Sequence, residues 1–137
     1  MIVFNYEIDF SLNNEPQLEN WIQDIVFNYG FSLGEINYIF CDDDYLHKLN
    51  LEFLKHDTLT DVISFDNTIG ELISVDIFIS IERIRDNAID FKVTFAEELH
   101  RVMIHGVLHC LGFKDKTNED KKIMTKKENE SLLLLRS

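Results

Sequence analysis

The chain has 137 residues and 16.2 kDa, the usual size of one domain, and its 45% hydrophobic and 28% charged residues exclude disordered and fibrous architectures. A formal net charge of −12 excludes a uniformly basic nucleic-acid binder. The charge is uneven: residues 1–113 hold 6 basic against 20 acidic side chains, whereas residues 114–137 hold 7 against 5. A polyanion is therefore expected to meet the C-terminal segment.

Two cysteines, Cys41 and Cys110, lie outside any CxxC pair and cannot build a disulfide framework, which fits a reducing compartment. The N-terminus lacks the basic region of a signal peptide, and the longest purely apolar run is Leu132–Leu135. That run is far short of the roughly 20 residues of a membrane span. The expectation is a soluble, cytoplasmic, single domain over residues 1–137, with no membrane and no DNA among its partners.

Residues 2–10 alternate loosely among Ile, Val, Phe and Tyr and predict a strand. Pro16 opens, and Gly30 ends, an amphipathic helix with Leu18, Trp21, Ile22, Ile25, Val26 and Tyr29 on its apolar stripe. Ile36–Cys41 reads as a second strand. Asp42–Asp44 then suit a helix N-terminus, with Leu46, Leu49 and Phe53 sharing a face. Asp61–Phe65 and Leu72–Ile79 read as strands on either side of a hairpin-like loop at 66–70. A short helix is expected after Ser80, with Ile81, Ile84 and Ala88 inward.

Thr94 with Glu97 forms a capping-box pattern that opens a helix to about Leu111. Beyond residue 102 that helix is apolar nearly all round, so it should be central. Gly112 is a natural stop, and a last helix is expected over about 118–135, with Ile123, Met124 and the terminal leucines as its stripe. The order βαβαββααα predicts an α+β fold: a four-stranded mixed sheet packed by about five helices, with the metal site on the central helix.

That site is read from His105 and His109, one helical turn apart and so on one face, with Asp115 brought round by Gly112. Two buried imidazoles on an apolar helix need partners, and one ion satisfies both. Two His and one carboxylate leave room for water, as a catalytic Zn²⁺ site requires, and catalysis is expected from a water on the metal. Residue 106 is Gly, where a zincin peptidase carries its Glu base. Cys110 points away from the ligands and should pack in the core, and His47 and His100 are expected at the surface. Glu71 and Asp76 are candidates to orient a histidine from one strand. Lys114, Lys116, Lys121 and Lys122 surround the third ligand, either as a solvated helix start or as a cationic rim for the phosphates of a polyanion.

The run His105-Gly106-x-Leu108-His109-x-x-Gly112-Phe113-x-Asp115 resembles the signature of the YbeY family of bacterial metal-dependent endoribonucleases. The resemblance extends through Leu49-Asn50, Thr60–Phe65, Gly70-Glu71-Leu72, and Met124 with Glu128. It implies one Zn²⁺ per chain, held by His105, His109 and Asp115, and single-stranded RNA cleavage during small-subunit ribosomal RNA maturation, with the small ribosomal subunit as partner. Asp115 stands where the family usually has His, and Leu54 where it usually has Arg. Lys55 and His56, next in the chain, are candidate contributors in place of that Arg, and no general base is assigned. The rival readings are a metallopeptidase-like hydrolase and a non-catalytic ribosome-associated factor with a structural zinc.

Overall fold

The computed structural model describes residues 1–55 and 60–136. Its elements are β1 (Ile2–Tyr6), α1 (Glu15–Asn28), β2 (Ser32–Cys41), α2 (Asp43–Leu49), β3 (Val62–Asp66), β4 (Leu72–Ser80), α3 (Ile81–Phe91), α4 (Phe95–Cys110) and α5 (Asn118–Arg136). A π-type turn, Asn50–Leu54, prolongs α2. The sheet order is β1-β2-β4-β3, with β1, β2 and β4 parallel and β3 antiparallel to β4. The α+β class, the four-stranded mixed sheet, the five helices and their order all agree with the sequence.

Strand boundaries differ for local reasons. β1 stops at Tyr6 because the chain bends at once, Phe10 N–H donating to Ile8 O at 2.8 Å, which turns Ile8 and Phe10 onto the core. β2 begins at Ser32, four residues before the predicted start, through a register shift between Leu33 and Ile36. Gly34 lies in that bulge, and a Cβ there would meet Ile73 O at 2.5 Å, so only glycine fits.

One face of the sheet carries Phe4, Tyr38 and Phe40 in stacked contact, with Val75, Ile77 and Ile79 beside them. Helices α1 and α4 lie on this face, and α3 and α5 pack against α4. The other face carries Cys41, Ile63, Phe65 and Phe78 under Leu46 and Leu49 of α2. Short polar side chains start the helices as expected: Asp42 accepts from Tyr45 N–H, Ser80 from Arg83 N–H and Thr94 from Glu97 N–H. Glu97 turns its own carboxylate to Arg136 rather than back to the cap.

Ile81, Ile84 and Ala88 are buried as predicted, but Tyr29, just past the end of α1, is exposed, and two apolar faces are corrected. Phe53 is exposed, because the π-type winding after Leu49 shifts the phase of the helical stripe. On α5, Met124 and Leu132 are buried while Ile123, Leu133 and Leu134 face outward, since that helix meets α4 and α1 along one narrow side. Trp21 Nε1–H donates to Ser131 O at 2.7 Å and ties α5 to α1.

Candidate metal centre

Helix α4 is held to the sheet beside its two histidines. Tyr38 Oη–H donates to Met103 O at 2.9 Å, two residues before His105, and burial pushes its phenol far above the ordinary range. Gly106 permits close approach: a Cβ there would lie 2.8 Å from Ile77 Cδ1 and 3.4 Å from Ser64 Oγ. Position 106 therefore faces the sheet, which gives a packing reason for glycine.

The end of α4 brings in the third donor. Gly112 takes φ 108°, its N–H donates to His109 O at 3.0 Å, and Phe113 N–H donates to Leu108 O at 3.1 Å. This paired closure reverses the chain with a conformation natural to glycine. Asp115 returns over the helix end, while Phe113 is wedged edge-on against Tyr29.

His105 Nε2 and His109 Nε2 are 3.0 Å apart, and each is 3.3 Å from Asp115 Oδ2. A tetrahedral ion with bonds of roughly 2.0–2.1 Å separates its ligand atoms by about 3.3 Å, so the triangle fits zinc. Among the described residues this is the one group of three or more His, Cys or carboxylate donors able to share an ion.

Glu128 of α5 completes the geometry: its Oε2 lies 2.6 Å from His105 Nδ1. Arg101 holds the same carboxylate, Nη1–H donating to Glu128 Oε1 at 3.0 Å and Nη2–H to Asn129 Oδ1 at 2.7 Å. Burial disfavours a charged His105, but the hydrogen bond and charge of Glu128, with Asp115 and Asp61, raise its pKa above the ordinary value. Seven residues earlier, Glu98 is 5% exposed, and burial, reinforced by Asp61, pushes its carboxyl up to about 7.

Glu128 takes the role considered for Glu71 and Asp76. Glu71 is exposed, and Asp76 accepts from Asn37 Nδ2–H at 2.9 Å. The signal in the sequence was the i, i+4 spacing of Glu128 from Met124, a carboxylate on the buried stripe of α5. Lys114, Lys116, Lys121 and Lys122 are all exposed. Lys55 is exposed with φ 55°, and His56 lies outside the described residues. Cys110 is buried, with its thiol pushed up to about 12 by burial. His47 and His100 are partly buried rather than surface groups; His100 packs edge-on against Trp21, and burial with Arg136 lowers its pKa.

No helix of the described residues is long and apolar enough to cross a membrane. A solution structure from Thermotoga maritima is similar over 98% of this chain and 89% of its own, with TM-score 0.69 and 27% identity. Curated proteins described as endoribonuclease YbeY are similar too. That of Flavobacterium psychrophilum is 58% identical and that of Flavobacterium johnsoniae 55%, each over 98% of this chain and 96% of the relative. A relative from Karelsulcia muelleri is 46% identical over 99% of this chain and 96% of its own. The family model described as endoribonuclease YbeY matches residues 4–136. On this match, and with the two-His, one-Asp triangle at the end of its central helix, the chain belongs to the endoribonuclease YbeY family.

Proposed function

We propose that residues 1–137 act as one hydrolase domain, a zinc-dependent, single-strand-specific endoribonuclease in small-subunit ribosomal RNA maturation, working in the cytoplasm on the small ribosomal subunit. The observation that carries this reading is the triangle of His105, His109 and Asp115 donors in a chain of this family. Zinc held there would supply Lewis acidity toward a phosphodiester and a source of hydroxide near neutral pH.

The chain's own residues set the conditions. Nε2 of each imidazole must be unprotonated to act as a ligand, and Glu128 supports that tautomer of His105 by accepting a hydrogen bond from Nδ1–H. Asp115 adds a negative charge where the family usually has a neutral imidazole, which lowers the net positive charge of the centre. Exposed Lys114, Lys116, Lys121 and Lys122 offer phosphates a cationic approach on an otherwise acidic protein.

Gly106 disfavours the peptidase rival, because the position packs on Ile77 and bears no carboxylate. The structural-zinc rival needs a fourth protein ligand, and the group found among the described residues has three. Metal analysis of the purified protein and of His109→Ala, with cleavage of a single-stranded RNA with and without chelator, tests the proposal. The expected result is one zinc per wild-type chain, its loss in the variant, and cleavage abolished by chelator and restored by zinc. Equal metal in both proteins, or cleavage indifferent to chelator, overturns it.

A further inference from the structure

β3 is an edge strand, hydrogen-bonded to β4 on one side. It also borders the metal centre: Asp61, just before it, acts electrostatically on His105, and His109 acts on Asp66 at its end. Between them, Ser64 Oγ lies 3.4 Å from where a Cβ on Gly106 would sit. On the opposite face of the same strand, Phe65 meets Phe53 edge to face, with ring centroids 5.9 Å apart and planes at 78°. Phe78 and then Tyr45 continue the series at 5.8 and 6.2 Å. Phe53 is thus braced by aromatic neighbours, yet it is 58% exposed, beside Leu51 at 44% and Leu54 at 42%.

Core packing does not account for such a patch. The backbone that presents it is irregular as well. Asn50–Leu54 winds as a π-type turn and ends at Lys55 in the left-handed region, φ 55°. Left-handed non-glycine residues are uncommon, and π-type turns gather at functional sites. The chain maintains this turn with a braced aromatic ring and an exposed lysine, across one strand from the metal ligands.

We propose that Phe53 is a stacking platform for an unpaired RNA base, with Lys55 facing the adjoining phosphate, so that an RNA strand at the metal passes over the edge of β3. The inference rests on the endoribonuclease reading and names the subsite that selects single strands. A duplex offers no free base face, whereas an unpaired base stacks on an aromatic ring with little regard to sequence.

The test measures binding of a 2′-O-methyl oligoadenylate ten-mer, which resists cleavage, and of its duplex, by fluorescence anisotropy. Phe53→Ala should weaken single-strand binding about tenfold, the scale of one stacked base, and leave duplex binding unchanged. Phe53→Trp should restore affinity, and its emission should be quenched by the single strand over the constant background of buried Trp21. Unchanged single-strand affinity in Phe53→Ala, with wild type still binding and cleaving RNA, overturns the stacking subsite and leaves the nuclease reading standing. Loss of a dimer in Phe53→Ala at unchanged RNA affinity also overturns it, assigning the patch to a second copy of the chain. A wild-type protein that neither binds nor cleaves RNA removes both readings.

Discussion

Glu128 Oε2 sits 2.6 Å from His105 Nδ1, so a carboxylate on the last helix aims an imidazole on the preceding one. Glu128→Gln keeps the shape and removes the charge, and should weaken zinc binding roughly 10–100-fold, the usual cost of losing such a partner. Competition against a fluorescent zinc chelator measures this. Affinity equal to wild type would reduce Glu128 to a packing residue.

Asp115 is 3.3 Å from both imidazole nitrogens. Asp115→His should retain one zinc per chain. Asp115→Ala removes a ligand itself, so its loss of affinity should exceed the roughly 10–100-fold expected for a ligand's partner. Direct metal analysis of the two variants decides, and equal zinc content in Asp115→Ala and wild type would show that the carboxylate is not a ligand.

Burial raises Glu98 to about 7, next to Asp61, Glu97 and Glu128 and opposed by Arg101. A carboxyl raised in the folded state contributes stability that is fully present below its unfolded pKa and is lost as pH rises through the folded value. Wild-type stability should therefore decline between about pH 5 and pH 8 relative to Glu98→Gln, by on the order of 2–3 kcal/mol. Urea unfolding of both metal-free proteins across that range is the measurement. Parallel curves would mean that Glu98 is ionised in the fold.

Gly106 faces Ile77 and Ser64 rather than open space. Gly106→Glu, which would recreate a zincin-like sequence, should lose roughly 3 kcal/mol or more of stability by forcing an unpaired carboxylate against the sheet. It should gain no peptidase activity. A variant as stable as wild type would show that the helix can roll to present residue 106 to solvent.

The four lysines near Asp115 carry the electrostatic part of RNA binding in this reading. Wild type should bind single-stranded RNA weakly, with a shallow dependence on salt. Changing Lys114, Lys116, Lys121 and Lys122 together to Gln should lower the slope by about 0.7 for each lysine that touches a phosphate. Anisotropy over a salt series reads the slope. A steep slope left intact by the quadruple change would place the RNA elsewhere.

The order of elements was legible because each helix opens on Asp, Ser, Thr or Pro and the strands are β-branched runs between turn residues. The metal triangle was legible because i, i+4 spacing and a glycine reversal are local rules, and here they act within His105–Asp115. Glu128 was noted only as part of the resemblance, and its role was missed because it arrives from a separate helix, which only packing of α5 on α4 brings to His105. Phe53 was assigned to the wrong face because a π-type winding breaks the 3.6-residue period on which the assignment relied. The bulge at Gly34 escaped notice for a related reason: it depends on the carbonyl of Ile73, 39 positions away.

The sheet ends at Ser80, whereas His105, His109, Asp115 and Glu128 all come after it. Chains are synthesised from the N-terminus, but a domain folds as a unit, and here α4 covers one face of the sheet. All four strands are made before any residue of the proposed metal site. One face of the sheet therefore stays half covered until α4 is made, and the last two helices complete the fold and the site together.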